Sequence, residues 1–321
     1  MTDETLLVAL AALVATAALV PLCIVVAHHW AILDRPGALK AQESPVPYLG
    51  GVAVFAGVTV GVLVGRPVVL VPLAAALALG VGDDRFELPA PFRLAAQLGV
   101  GAVIAATQPV HLPGWIGVPL IMVAGVVLMN GFNLLDGLDM LVAGVGAAAG
   151  VGFAVLVSGP ARLMAASLTG ALVGFVWYNR PPARIYLGDG GSYLIGASMT
   201  VLLAYAWGIG ISGGTGVIAL ALVAVPGIEV ACAIARRRRS GRSLLSGDRA
   251  HPYDLLVASG WSRTVASATY IAIEVVIVAI VVLLGHPSVP VAVAVDIAVA
   301  AALLGGAALV GGLSSPAGTR P

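Results

Sequence analysis

Residues 67–84 read PVVLVPLAAALALGVGDD, an unbroken apolar run that ends in two adjacent carboxylates. Similar runs recur along the chain of 321 residues, of which 60% are hydrophobic and 10% charged, and the mean hydropathy is +1.05. A soluble domain has roughly 25% charged residues. This composition excludes a soluble enzyme, a nucleic-acid binder and a disordered protein. Because the runs are continuous rather than alternating, they also exclude a transmembrane barrel.

The apolar runs number eleven, and most approach the roughly 20 residues that a transmembrane helix needs. They fall at 5–27, 49–64, 67–82, 93–107, 115–131, 139–157, 163–178, 193–211, 215–234, 265–285 and 289–311. The sequence therefore predicts an all-α polytopic membrane protein with about eleven transmembrane helices, ten being the alternative. We expect residues 1–321 to form a single integral membrane domain.

Charged residues are concentrated in alternate loops, at 28–48, 83–93, 130–138, 179–192 and 235–264. The intervening loops contain only two arginines, Arg66 and Arg162. The positive-inside rule then predicts that the first set of loops is cytoplasmic and that the N-terminus is outside. Most acidic residues lie in the same loops, which favours an enzyme acting on a lipid headgroup with a water-soluble donor. A transporter or lipid flippase, the rival interpretation, would more often keep its acidic residues at mid-membrane.

Asp83 and Asp84 stand at the end of an apolar helix. Two adjacent carboxylates there are unfavourable unless a cation shares them. A Mg²⁺ ion with a bound phosphate would do so, because Mg²⁺ prefers oxygen ligands. The alternative is an ordinary acidic pair at a solvated helix end.

Asn133, Asp136 and Asp139 are spaced three residues apart. On a helix, that spacing places three polar side chains on one face, where they would meet a polar ligand beside the membrane. The alternative is a polar stripe in a short loop.

Residues 178–192 read YNRPPARIYLGDGGS. The double proline ends any helix and forces a loop. The glycines around Asp189 allow the backbone to approach a ligand closely, so Asp189 is a candidate metal ligand. Ser192 is a candidate N-cap for the next helix, whose N-terminus would attract phosphate. The alternative is a glycine turn that happens to contain an aspartate.

The last charged loop contains a run of four arginines at 236–239 and then Asp248-Arg249-Ala250-His251-Pro252-Tyr253-Asp254. The arginine run is typical of a cytoplasmic anchor on anionic lipid. Arg249 and His251 could contact a phosphate through charge-assisted hydrogen bonds, or His251 could be a loop histidine without a role.

In this order, the segments resemble the polyprenyl-phosphate N-acetylhexosamine-1-phosphate transferase family, from about residue 34 to 263. The resemblance implies transfer of a sugar-1-phosphate, most readily N-acetylglucosamine-1-phosphate, from a UDP-sugar to polyprenyl phosphate in a bacterial inner membrane, with release of UMP. It implies Mg²⁺, or Mn²⁺ in its place, as cofactor. Its partners would be the UDP-sugar, the polyprenyl phosphate and the bilayer, with no nucleic acid, and a homodimer is compatible with it. A catalytically inactive member of the family is a second rival.

The resemblance also implies roles for individual residues. Catalytic roles fall to Asp83, Asp84, Asp136 and Asp189, with Asp189 and Asp84 as metal ligands. Substrate-binding roles fall to Lys40, Asn133, Asp139, Asn179, Tyr186, Arg249 and His251.

The sequence departs from the family pattern in two loops. The usual His-Lys of the first loop is Gln42-Glu43 here, and the arginine that often follows its second proline is Tyr48. The usual histidine-rich motif of the last loop keeps only its first histidine, His251, and Asp254 stands at the position of a lost one. These departures bear on the sugar donor more than on the phosphoryl chemistry.

Overall fold

The structure, a computed structural model, describes residues 3–35, 44–108, 114–210, 213–244 and 250–313. Its α-helices are α1 (Asp3–His29), α2 (Gly50–Gly65), α3 (Leu70–Phe86), α4 (Ala90–Thr107), α5 (Gly114–Leu135), α6 (Leu141–Leu156), α7 (Gly159–Asn179), α8 (Gly188–Gly210), α9 (Thr215–Ile218), α10 (Ala224–Arg239), α11 (Pro252–Ala258), α12 (Arg263–Leu284) and α13 (Val289–Leu309). Short 3₁₀ turns, Pro67–Val69 and Ala221–Val223, precede α3 and α10. The predicted all-helical class is confirmed.

Eight of the described helical segments are long and apolar enough to cross a membrane. They are Asp3–His29, Pro67–Phe86, Ala90–Thr107, Gly114–Leu135, Gly159–Asn179, Thr215–Arg239, Arg263–Leu284 and Val289–Leu309. Two shorter apolar helices, Gly50–Gly65 and Leu141–Leu156, lie between them in sequence. The chain is therefore a multi-pass membrane protein.

The centre of the bundle is formed by α7 and α8. Helices α1, α2 and α6 pack against α7, whereas α3 and α5 pack against α8. Glycines allow the closest of these approaches, because a Cβ at Gly51 or Gly80 would collide with the backbone of residues 189–191 in the first turn of α8. The small residues of α2 and α3 thus bring both helices against the start of α8, where Asp189 lies.

The helices extend further into the predicted loops than the apolar runs do. Helix α3 includes Asp83 and Asp84, α5 continues to Leu135, α8 begins at Gly188, and the arginine run is the last turn of α10. Polar residues are stable at these helical positions because their side chains form hydrogen bonds. The Asn130 amide, for example, donates to Gln97 Oε1 at 2.6 Å and to the carbonyl of Val126 at 2.8 Å.

The first predicted loop contains a short antiparallel pairing between β1 (Leu33–Asp34) and β2 (Val46–Pro47). Beyond β2, the amide of Tyr186 donates to the carbonyl of Pro47 at 2.7 Å, and the amide of Gly50 donates to the carbonyl of Tyr186 at 3.0 Å. These bonds join the first loop to the loop before α8.

Candidate active site

All five loops predicted to be cytoplasmic contribute to one cavity of about 1390 Å³, the central cavity. Asp34 comes from the first loop, Asp84 from the second, Asp136 from the third, Asp189 from the fourth and His251 from the fifth. Residues that are more than 200 positions apart in sequence therefore meet in one place.

Asp84 lies at the N-terminus of α8. Its Oδ1 accepts from the amide of Asp189 at 3.1 Å and its Oδ2 from the amide of Gly190 at 3.3 Å. Gly188 has a φ of +70°, and a Cβ there would stand 2.7 Å from Asp84 Oδ2. A carboxylate is stabilised at a helix N-terminus in the same way as a phosphate, so Asp84 itself occupies the anion position that the sequence suggested for phosphate.

Asp189 and Asp136 are each held by a neutral side chain. Asn133 Nδ2 donates to Asp189 Oδ1 at 2.6 Å, and Ser192 Oγ donates to Asp136 Oδ2 at 3.0 Å. The predicted N-cap role of Ser192 is wrong, because α8 begins four residues earlier and Ser192 lies within it, buried.

Asp136 combines burial with nearby negative charge. Burial first, and then the carboxylates of Asp189 and Asp139, raise its pKa to about 7, although the hydrogen bond from Ser192 lowers it. Acids crowded in this way are stabilised by a cation that shares them.

Asn133, Asp136 and Asp139 do not share a helix face, since α5 ends at Leu135 and only Asn133 is helical. The chain turns at Gly137, which packs against the ring of Tyr253 with no room for a Cβ, and Met140 has a φ of 62°. Asp136 points toward Ser192. Asp139 instead accepts from the amide of Ala183 at 3.1 Å, and burial raises its pKa.

Asp83 has different hydrogen-bond partners from Asp84 and is 4% exposed. Its Oδ1 accepts from the amide of Leu88 at 3.1 Å, and its Oδ2 accepts from Arg93 Nη1 at 3.0 Å and from the Tyr193 hydroxyl at 2.8 Å. Asp83 does not line the central cavity, whereas Arg93 does. This geometry favours a positioning role for Asp83.

Asn179 uses both ends of its side-chain amide on the backbone. Its Oδ1 accepts from the amide of Met140 at 2.8 Å, and its Nδ2 donates to the carbonyl of Ile185 at 2.9 Å. Asn179 is 6% exposed and touches the cavity wall. It therefore ties the loop that contains Asp136 to the loop before α8.

We expect Asn179→Ala to destabilise the protein. The substitution leaves two largely buried backbone groups without partners, at a cost of about 1–3 kcal/mol for each. The thermal unfolding midpoint in detergent should fall by several degrees, with a loss of correctly folded protein. An unchanged midpoint together with a raised KM for the donor would contradict this and favour the predicted substrate-binding role of Asn179.

The remaining substrate-binding predictions have different outcomes. Tyr186 lines the cavity, and burial raises its pKa to about 12, so it remains a neutral phenol. His251 also lines the cavity and is 4% exposed. Asp254 accepts from the backbone amide of His251 at 3.4 Å and lies in the first turn of α11. Lys40 and Arg249 lie outside the described residues.

Several groups that hold the predicted residues had no role assigned from sequence. Arg93 and Tyr193 bind Asp83, and Glu229 lies 3.2 Å from the imidazole of His251. Glu229 carried a signal, because a charged residue inside an apolar run is by default a functional candidate. Tyr193 carried none, since a tyrosine in an apolar helix is ordinary.

The donor set of the cavity fits Mg²⁺. Asp84, Asp136 and Asp189 offer carboxylate oxygens, the ligands that Mg²⁺ prefers. Within the described ranges, no three acidic, histidine or cysteine side chains form a ready metal cage. Mg²⁺ typically keeps several waters and binds one or two carboxylates together with substrate phosphates, so Asp189 and Asp84 would suffice when a phosphate is bound.

Comparisons with known proteins agree with this site. Residues 67–206, which contain Asp84, Asp136 and Asp189, match the family model described as "Glycosyl transferase family 4". The chain is 29% identical to the probable undecaprenyl-phosphate N-acetylglucosaminyl 1-phosphate transferase of Bacillus subtilis, over 72% of this chain and 71% of that protein.

Two further relatives have similar coverage. The decaprenyl-phosphate N-acetylglucosaminephosphotransferase of Mycolicibacterium smegmatis is 29% identical, over 74% of this chain and 72% of the relative. The undecaprenyl-phosphate alpha-N-acetylglucosaminyl 1-phosphate transferase of Escherichia coli K12 is 26% identical, over 74% and 72%. The family match over residues 67–206 and the extent of these similarities confirm the predicted resemblance of the chain to the polyprenyl-phosphate N-acetylhexosamine-1-phosphate transferases.

Proposed function

We propose that the protein transfers N-acetylhexosamine-1-phosphate from a UDP-sugar to polyprenyl phosphate and releases UMP. N-acetylglucosamine is the leading sugar, because the names of the relatives specify it. The observation that carries the proposal is the composition of the central cavity, in which an acidic cluster and an apolar wall face the same space. A reaction between a water-soluble nucleotide and a lipid phosphate needs both.

The acidic side suits the donor diphosphate. Asp189 and Asp84 would hold Mg²⁺, which supplies charge neutralisation and polarises the phosphate to be attacked. Asn133 orients Asp189 through the bond to Oδ1, and the α8 amides fix Asp84. Tyr186, a neutral phenol in the same cavity, is the candidate for stacking on uracil.

The apolar side suits the acceptor lipid. It is formed by side chains of three helices that border the cavity: Leu94 of α4, Val126 and Val127 of α5, and Val230, Ala233 and Ile234 of α10. Arg93 lies beside Leu94 and lines the same cavity. A polyprenyl chain along these helices would bring its phosphate toward the acidic cluster.

The proposed chemistry is a direct displacement. An oxygen of the lipid phosphate attacks the β-phosphorus of the UDP-sugar, the bond from that phosphorus to the bridging oxygen breaks, and the electron pair leaves with UMP. A phosphate monoester has a second pKa near 6 and is mostly ionised at neutral pH, so no strong base is required. This agrees with the hydrogen bonds that occupy both oxygens of Asp83. A covalent aspartyl intermediate is the alternative.

A donor panel tests the proposed function. Membranes containing the protein are supplied with polyprenyl phosphate, Mg²⁺ and a series of UDP-sugars, and UMP release is followed. We expect release with at least one UDP-N-acetylhexosamine, only when polyprenyl phosphate is present. If none of the UDP-sugars in the panel gave UMP release, the proposal would be overturned.

We further propose eleven membrane passes with the cavity facing the cytoplasm. The count includes α2, α6 and α8 together with the eight longer segments. Arg66, Pro160 and Tyr205 line a small pocket that shares no residue with the central cavity. Arg66 and Pro160, from two of the intervening loops, thus lie apart from the residues of the charged loops. This separation agrees with the two sets of loops that the charge pattern predicts.

Single-cysteine labelling tests this orientation. In a variant lacking Cys23 and Cys232, which are both buried, a cysteine at exposed Arg184 should resist an impermeant thiol reagent in intact cells. A cysteine at Arg162 should react. Labelling of position 184 from outside would contradict the orientation.

A further inference from the structure

The chain turns between α3 and α4 at residues 84–94, the α3–α4 hairpin, and this hairpin presents two phenylalanines to the outside. Phe86 is 74% exposed and Phe92 is 57% exposed. Large apolar side chains are unfavourable in water, and grouped on a surface they mark contacts with a partner or a membrane. The two rings therefore need an apolar cover that the described part of the chain does not supply.

Each phenylalanine continues the exposed stripe of a helix that is long and apolar enough to cross a membrane. At 100° per residue, one face of α3 contains Phe86 and the exposed residues Val71, Ala75 and Ala78. One face of α4 contains Phe92 and the exposed residues Ala95, Gly99, Val103 and Ala106. Since such stripes face lipid in a membrane protein, continuity with them identifies lipid as the cover of both rings.

The opposite side of the same hairpin lines the central cavity. The residues that do so are Asp84, Glu87, Ala90, Arg93 and Leu94. Neither Phe86 nor Phe92 is among the cavity residues. A single turn of the chain thus separates the acidic cluster from the surface that faces lipid.

Asp83 fixes the shape of the hairpin. Its Oδ1 accepts from the amide of Leu88 at 3.1 Å and its Oδ2 from Arg93 Nη1 at 3.0 Å. Its carbonyl accepts from the amide of Glu87 at 2.9 Å, and Glu87 ends α3 with a φ of 48°. Because these bonds join both arms of the hairpin, the two exposed rings have a fixed position relative to the cavity.

We propose that the α3–α4 hairpin is a lipid-binding surface beside the active site, with Phe86 and Phe92 inserted below the headgroup phosphates of the bilayer. They are positioning residues for the acceptor, because they hold the cavity edge at the depth of a lipid phosphate. Exposed Arg85, next to Phe86, places a cation at the level of anionic headgroups. The consequence for catalysis rests on the proposed function, whereas the insertion itself does not.

Spin labels test the insertion without any assay of activity. In the variant lacking Cys23 and Cys232, a labelled cysteine at position 86 or 92 reports its depth in proteoliposomes through collisions with oxygen and with a water-soluble nickel chelate. Position 99 is the lipid reference, because a Cβ at Gly99 would have nothing within 4 Å. Exposed Arg184 is the water reference.

We expect labels at positions 86 and 92 to collide more with oxygen and less with the chelate than a label at position 184, as the label at position 99 does. A label at either position that met the chelate as freely as the label at position 184 would overturn the proposal.

Kinetics test the consequence for the acceptor. Phe86→Ser combined with Phe92→Ser should raise KM for long-chain polyprenyl phosphate in proteoliposomes about 10-fold, with kcat and the KM for the UDP-sugar within about twofold of the wild type. A short-chain prenyl phosphate in detergent should show no such difference, because its phosphate is not held at a fixed depth. An unchanged KM for the long-chain acceptor, or an equal rise with the short-chain one, would contradict the positioning role.

Two variants serve as controls. Phe86→Leu combined with Phe92→Leu keeps apolar side chains and should keep the KM of the wild type. Trp115→Ser makes the same type of change at an 80% exposed aromatic in the first turn of α5, away from the cavity, and should also keep it. If the wild type transferred no sugar-phosphate at all, the proposed function would fail, while the spin labels would still decide whether the hairpin inserts.

Discussion

Asp189→Asn should lower the rate of transfer by roughly 10²–10³-fold while the protein still folds. The substitution removes the negative charge that would hold Mg²⁺ on the donor diphosphate. The asparagine oxygen can still accept the hydrogen bond that Asn133 donates to Oδ1 at 2.6 Å. Steady-state rates and a thermal melt on the same preparation separate the loss of chemistry from a loss of structure.

Asp296→Asn is the control for this variant. Asp296 is a half-buried acid of α13 that does not line the central cavity, so its amide variant should keep normal activity. Near-normal transfer by Asp189→Asn would remove Asp189 from the metal role.

Removal of divalent cations should abolish transfer entirely. Without a cation, the donor diphosphate would enter a cavity that contains the carboxylates of Asp84, Asp136 and Asp189, and like charges at short range repel strongly. Activity measured after treatment with EDTA should fall to background, and added Mg²⁺ or Mn²⁺ should restore it.

EDTA already saturated with Mg²⁺ serves as the control, because it exposes the protein to the same reagent without depleting the metal. Full activity in excess EDTA would contradict the assignment of Asp84 and Asp189 as metal ligands.

Sequence reasoning predicted the membrane class and one common side for the charged loops, because both predictions follow from strong local signals. An apolar run of about 20 residues can satisfy its backbone in a membrane only as a helix. Asp84, Asp136 and Asp189 stood at the ends of such runs on the same predicted side. The alternation of spans therefore places them at one membrane face, whereas their meeting in one cavity depends on how the helices pack.

The roles within the acidic pair could not be predicted in this way. Successive residues on a helix point about 100° apart, so Asp84 meets the backbone amides at the start of α8, while Asp83 meets Arg93 of α4 and the hydroxyl of Tyr193 further along α8. Which of the two lines the cavity depends on how α3 packs against α8. That packing is set by the close approach at Gly80, which is a tertiary contact.

The residue at which α5 ends also could not be predicted from the sequence. The three-residue spacing of Asn133, Asp136 and Asp139 fits a helix, but the chain turns where the ring of Tyr253, more than 100 residues away, packs on Gly137. The pairing of Glu229 with His251 likewise depends on α10, α11 and α12 meeting at one point. Local periodicity contains no information on such contacts.

The most direct test of the proposed reaction follows the phosphate group that is transferred from the UDP-sugar to the lipid. The purified protein in lipid is supplied with polyprenyl phosphate, Mg²⁺ and UDP-N-acetylglucosamine radiolabelled at its β-phosphate. The account predicts that the label moves into the lipid phase in step with UMP release, because the sugar is transferred together with that phosphate. Label that stays in UDP while the sugar moves to lipid, or no labelled lipid with any UDP-N-acetylhexosamine, would contradict it.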